Sequence, residues 1–418
     1  MQCGFDKAEP LIAQMLDDLQ DQHAYYLSAE AVQAENANRA GQNTSPSPRV
    51  GIQHRGFCAT PTGECTFDDA GNLKDKLQTD RLIVNVLPNS PAEKAGLRYG
   101  DRWIGYNGTL FATFPDGQAP AYTKFLEDFS VKIRASETIT MNILRGANRQ
   151  RLDIPLKGEI VNLSETPTLE LRPDGIAVLK VRDYQIRGMG QRVHDLVKQA
   201  VAGGAKGIIF NERGNGGGSV AEMLFTVAAF VPTVESFRFV PRYNADRNTV
   251  EYGYQPGKVF IRNPAGVELG SSPLANPTTT NLPMTVLVDS GCASGCEYFA
   301  AYMQRAKRAQ VIGEPTVGIG NTNTARFNLI NGGAAGMPTV RAFWPDGISL
   351  PAQITPDMPI QGSDYTLFST GRDPGFEKAL ELLGIKSTLA VNTAEFTSSR
   401  AAPLNGLELH RLGLNASL

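Results

Sequence analysis

The chain reads as an α/β protein: a mixed, mostly parallel layered sheet with helices, carrying an inserted β-rich unit and a helical N-terminal segment. Three observations predict this. Between residues 168 and 385, short runs rich in Val, Ile and Leu alternate with stretches of helical spacing. Between residues 50 and 157, strand-like runs are divided by dense turn signals, among them Gly100-Asp101 and Asn107-Gly108. Ahead of both, Leu11, Ile12, Met15, Leu16 and Leu19 recur along one helical stripe. The expected division is a helical segment and linker over 1–49, the β-rich unit over 50–157, the α/β core over 158–387 and a polar extension over 388–418.

The bulk numbers bound the function. A chain of 418 residues accommodates more than one domain. Its formal net charge of −2 does not suggest nucleic acid or an anionic membrane as a partner. No apolar run is long enough to span a bilayer, and the first residues lack the pattern of a signal peptide. Four histidines, His23, His54, His194 and His410, are scattered without metal-ligand spacing, so no metal or cofactor is expected. Of five cysteines, Cys58 with Cys65 and Cys292 with Cys296 are spaced as local pairs. They fit either disulfides, which would favour an oxidising compartment, or free thiols.

Taken in order, residues 7–40 are predicted helical, with Ser28 capping a second helix and His23 in the connection. In the β-rich unit, Leu82–Leu87 is a strand, Ala92–Ala95 a short helix stopped by Gly96, and Tyr122–Ile133 an amphipathic helix. Residues 138–144 and 150–156 form a closing hairpin. In the core, strands are expected at 175–181, 205–211, 284–289 and 309–313, with helices at 187–202, 217–231 and from Ser294. A further extended stretch is expected at Arg326–Leu329.

Sites in such sheets lie at the carboxyl ends of strands. Two ends carry chemistry. The run from Val286 to Glu297 is an apolar strand, a turn of small residues and a helix start, with Ser294 at the corner. A helix N-terminus presents free N–H groups that favour developing negative charge, so a serine nucleophile and an oxyanion site can share one turn. A turn that uses small residues for packing fits the same letters. The other end, Glu212-Arg213-Gly214-Asn215-Gly216-Gly217-Gly218, exposes backbone N–H groups but lacks the Lys-Ser/Thr of a phosphate loop.

The order Ser90-Pro91-Ala92-Glu93-Lys94-Ala95-Gly96-Leu97, then Gly100-Asp101, then Asn107-Gly108-Thr109 resembles a PDZ domain of the bacterial protease type. That resemblance implies a groove between the 122–133 helix and a strand near Gly56, Phe57 and Cys58, which takes a peptide by strand addition. His54 lies just before it, where a surface role is expected. The whole series of blocks resembles the carboxy-terminal processing (tail-specific) proteases, which are related to tricorn-type proteases. The matching blocks are Asp21–Ser28, the PDZ-like unit, Glu212–Gly218, Cys292–Glu297, Gly313–Gly318 and Asp373–Leu380.

The resemblance implies Ser294 as nucleophile, with Gly295 and Gly216 or Gly217 as oxyanion donors. The family's general-base lysine falls on Ile319, and a frequent acidic position falls on Arg305. Tricorn-type relatives use a histidine near the start of the domain, which makes His23 the candidate base; their glutamate position falls on Leu350. His194 and His410 read as structural. The expected function is a serine endopeptidase acting, outside the cytoplasm, on proteins that enter by their C-terminal tails. The alternative is an inactive homologue that binds such tails.

Overall fold

The computed structural model describes residues 5–19, 21, 23–68, 72–164, 167–243, 245–385 and 415–417. Contacts divide the chain into two units: Met1–Asn43 with Thr166–Pro359, and Thr44–Glu165 with Ile360–Leu418. Each is described by itself. Cys3, His410 and most of the extension expected over 388–418 lie outside the described residues.

Among the described residues, the first unit holds two sheets. Its inner sheet runs in the order Met358–Pro359, Gln310–Gly313, Met284–Val288, Gly207–Asn211, Ile176–Lys180, Thr168–Leu171. All neighbours are parallel except the last pair, which is antiparallel. Gly207–Asn211 and Met284–Val288 are buried at every residue, as strands covered on both faces must be. Phe210 on the sheet stacks on Phe299 of the helix Gly295–Arg305 at 4.5 Å, and Phe230 meets both edge-on.

The second sheet of this unit is antiparallel, so the expectation of a mostly parallel core holds for one sheet of two. Its order is Tyr25–Leu27, Ala334–Phe343, Phe237–Pro241, Val250–Gln255, Lys258–Arg262, Glu268–Pro273. Thr322–Asn328 also pairs with Ala334–Phe343. Pro338 sits in that long strand beside a register shift at Asn323/Thr324, where a missing N–H is tolerated. The segment Tyr25–Leu27, expected to be helical, is a strand laid on Ala334–Gly336. Ser28 then caps Ala29–Arg39, its hydroxyl accepting from Ala31 N at 3.2 Å.

The second unit is built on one antiparallel sheet in the order Asn415–Ser417, Ile52–Arg55, Arg81–Val86, Arg102–Tyr106, Thr138–Arg145, Gln150–Lys157. The helix Pro120–Arg134 covers an aromatic core in which Trp103 packs on Phe111 and Phe129 at 5.0 and 4.8 Å. Two helices within the stretch expected to be α/β core, Ser363–Thr370 and Pro374–Leu382, belong to this unit. Leu367 and Phe368 pack with Phe57 and Leu82.

His54, expected at the surface, is buried. Its Nδ1 accepts from Arg81 Nε at 3.1 Å, and its ring meets Trp103 edge-on at 5.4 Å. Burial, and secondarily the Arg81 charge, holds its imidazole well below the ordinary 6.5. Since the folded value lies below the unfolded one, the group's contribution is fully present above about pH 6.5 and lost as pH falls toward the folded value. His54 should therefore show the chemical shifts of a neutral ring when titrated by NMR through pH 6.5. A midpoint at or above 6.5 would contradict this burial.

Candidate active site

The corner at Ser294 is built from the strand outward. Met284–Val288 ends at the turn 289–293, and the helix Gly295–Arg305 begins directly after the serine. Ser294 has φ 52° and ψ −113°, a region that L-residues avoid and that costs about 1–3 kcal/mol to occupy. Such strain persists only where the surroundings hold it. Here Ser294 N–H donates to Glu297 Oε2 at 2.8 Å, and a Cys292–Cys296 disulfide closes a ring around the corner.

Glu297 organises more than the serine. It is fully buried and accepts from Thr316 Oγ1 and Gly318 N, each at 2.6 Å, and from Ile319 N at 3.1 Å. Burial pushes its carboxyl upward, against the pull of these donors. One carboxylate thus joins the nucleophile turn to the 316–319 loop. Val317 N adds a bond to Cys292 O at 3.0 Å.

The glycine turn presses against the same corner. Ala293 N donates to Asn215 O at 3.0 Å. A Cβ on Gly217 would lie 2.8 Å from Ser294 Cβ and 2.5 Å from Gly295 N, so only glycine allows this approach. The N–H of Gly217 is already given to Asn215 Oδ1 at 2.8 Å, which makes it a spacer rather than a free donor. Gly216 and Gly218 line the cavity in front of Ser294, and a Cβ on Gly295 would lie 3.2 Å from Gly218 N. Beneath the turn, Glu212 and Tyr184 are fully buried and share a short hydrogen bond, while Asn215 Nδ2 donates to Glu212 at 3.2 Å. Burial drives both the Glu212 carboxyl and the Tyr184 phenol well above their ordinary values.

His23 is buried at the wall of the same cavity, of about 1100 Å³, which Ser294, Ile319, Gly216 and Arg187 also line. Its backbone N–H donates to Asp21 Oδ1 at 2.8 Å, and its Nδ1 lies 2.5 Å from Thr322 Oγ1. Thr322 Oγ1 in turn donates to Ile319 O at 3.3 Å. Burial lowers the His23 imidazole from 6.5, and Asp21 opposes this. Among the described residues, no hydrogen bond joins His23 to Ser294.

The other expected positions resolve as structure. Arg305 pairs with Glu235 at 2.5 Å and Asp346 at 2.8 Å, and lies over the Trp344 ring. Leu350 is core. His194 lies within hydrogen-bonding distance of Phe225 O at 2.8 Å and Thr278 N at 3.0 Å. In the second unit, the strand lies at Ile52–Arg55, just ahead of the Gly56, Phe57 and Cys58 position. Phe57 is buried against Tyr365 and Phe368, and Cys58 is bonded to Cys65. Among the described residues, no cluster of His, Cys, Asp or Glu could hold a metal ion, and no helix is long and apolar enough to cross a membrane.

Sequence reading missed Glu297, although Ser294-x-x-Glu297 carries the spacing of a capping box. It also missed Thr322, which nothing in the letters marks.

The disulfide gives a direct test. Cys292→Ser combined with Cys296→Ser should slow phosphonate labelling of Ser294 by about tenfold, the equivalent of ~1.4 kcal/mol. Far-ultraviolet circular dichroism should be unchanged. Unaltered labelling would mean that the ring does not hold the corner.

Residues 175–360 match the model described as Peptidase family S41. The carboxy-terminal processing protease CtpA of Bacillus subtilis (strain 168) is 24% identical over 265 residues, covering 63% of this chain and 50% of that protein. The chloroplastic carboxyl-terminal-processing peptidase 2 of Arabidopsis thaliana is 23% identical over 288 residues, covering 68% and 50%. The chain spans about half the length of these curated relatives. A solved structure assigned to the S41 proteases, from Bacteroides fragilis NCTC 9343, superposes with a TM-score of 0.55 at 14% identity, covering 92% of each chain, a likeness of fold. The serine corner and the glycine turn both lie inside residues 175–360, the stretch that is similar to peptidase family S41.

Proposed function

We propose that this chain is a serine endopeptidase of the carboxy-terminal processing type, with Ser294 as nucleophile and His23 as general base. The observation that carries the reading is the backbone of Ser294. It is held in a strained conformation at a helix N-terminus, with a glycine turn packed against it. The N–H groups of Gly295 and of Gly216 or Gly218 are the oxyanion donors in this scheme.

The pairing around His23 supports its role. Thr322 gives its hydroxyl proton to Ile319 O and so accepts from His23 Nδ1–H. That pairing favours the tautomer with a free lone pair on Nε2, the form a general base needs. In the reaction, Nε2 takes the Ser294 proton, directly or through one water, as Oγ adds to the scissile carbonyl. The imidazolium then protonates the leaving amine, and water resolves the acyl-enzyme.

The second unit, in this proposal, is a PDZ-type domain that takes extended C-terminal tails along the strand Ile52–Arg55. The two disulfides favour an oxidising, extracytoplasmic setting.

A second reading has its own observation. Ile319 stands at the position of the family's lysine, and His23 and Ser294 are not hydrogen-bonded to each other. On that reading the chain binds tails without cutting them. A fluorophosphonate probe separates the two. Labelling of Ser294, mapped by mass spectrometry, supports the peptidase. A purified, folded chain that neither labels nor cleaves unstructured casein supports the binding protein.

A further inference from the structure

The sheet of the second unit holds one strand that the sequence did not announce. Asn415–Ser417 pairs antiparallel with Ile52–Arg55 in the register Gln53 with Ser417, His54 with Ala416 and Arg55 with Asn415. Without it, Ile52–Arg55 would be the outermost of that sheet's main-path strands. It would then present a row of unpaired N–H and C=O groups, a ready template for any extended chain. The strand is placed firmly on its other side. Ile52 pairs with Val86 and Arg55 with Leu82. Arg55 is also tied to Asp364 at 2.7 Å. The edge is therefore preformed, and the segment laid on it contributes main-chain pairing.

We propose that the segment Asn415–Ser417 is an internal ligand of this edge and occupies in cis the place a substrate tail would take. The proposal rests on the reading of the second unit as a tail-binding domain and adds its resident occupant. Strand addition depends on backbone groups, so an internal segment free of proline competes with an incoming tail for the same main-chain hydrogen bonds; residues 404–418 contain none. Tethering gives the segment an effective concentration of order millimolar. An incoming tail that binds the bare edge at roughly 100 μM would then bind the occupied one about tenfold more weakly. The edge is selective as a result: a substrate must out-compete the chain's own segment before capture.

The test compares three forms: the full chain, a chain ending at residue 385, and the full chain carrying Ala416→Pro. Proline removes one N–H and disfavours the pairing. The probe is a fluorescein-labelled peptide of residues 408–418, read by anisotropy. Hydrogen exchange at the amides of 52–55 is read in parallel. Expected is saturable binding to the shortened chain, about tenfold weaker binding to the full chain, and recovery with Ala416→Pro. The 52–55 amides should be protected in the full chain and exchange faster in the other two. Equal affinity across the three forms, with equal exchange, overturns the proposal. A shortened chain that binds unrelated tail peptides but not 408–418 overturns it too, while leaving the second unit a tail binder. If it binds neither, the tail-binding reading itself fails, and the internal-ligand proposal with it.

Discussion

Ser294→Ala and His23→Ala are each expected to lower kcat/KM on an unstructured protein by about 10³- to 10⁶-fold, and the double variant is expected to be no worse than Ser294→Ala alone. A nucleophile and its base act as one unit, so their losses do not add. A base that acted independently would give multiplied losses, and wild-type rates in Ser294→Ala would remove the serine from the mechanism. The pH profile adds an independent readout. Burial lowers the His23 imidazole below 6.5, so the base form already dominates at neutral pH. The rate should be flat through neutrality and fall only on the acid side of pH 6.5, as the imidazole takes up its proton. A rising limb centred above 7 would point to a different base.

Glu297→Gln is expected to be nearly as costly, although the side chain keeps its size. The carboxylate accepts from Ser294 N, Thr316 Oγ1, Gly318 N and Ile319 N. It has donors on both oxygens. Whichever way the amide turns, its NH₂ faces N–H or O–H groups that need an acceptor. Two buried donors lose their partner, at a cost of about 2–4 kcal/mol. The strained Ser294 backbone also loses its anchor or its neighbouring loop. Expected are a melting midpoint lower by several degrees and a labelling rate lower by about 10²-fold. Glu297→Gln that labels as fast as the parent would show that the corner is held by other bonds.

Much of the site was legible because its chemistry is local. A buried β-branched strand, a turn of small residues and a helix start can be read from twelve consecutive letters, and so can the glycine turn after Asn211. The cap at Ser28 was equally plain, its hydroxyl accepting a backbone N–H of its own helix. What the letters hid is set by partners far away. Tyr25–Leu27 is too short to show a period of two and is a strand only because Ala334–Gly336 lies beside it. Ala334–Phe343 contains Gly336 and Pro338, which argue against a strand until the bulge that accommodates them is seen. His54 is one residue in a four-residue strand, and only the fold decides that it faces Trp103 and Arg81. The second sheet's direction could not be read from its short strands, since alternation says nothing about which neighbour a strand chooses.

The strand Ala334–Phe343 carries a consequence for how the site comes into being. It pairs with Tyr25–Leu27, with Phe237–Pro241 and with Thr322–Asn328. His23 and Thr322, now in contact, are 299 residues apart in the chain. Closing so long a loop has an entropic cost that only simultaneous burial of many groups can meet, and contacts of this separation form late in folding. During synthesis, the ribosome releases the imidazole first, then the serine, and last the strand that draws the N-terminal segment into the sheet. A nascent chain would carry the serine corner while its base still lacked a seat. In the proposed peptidase, release of Ala334–Phe343 therefore sets the earliest moment at which His23 can be seated beside Thr322.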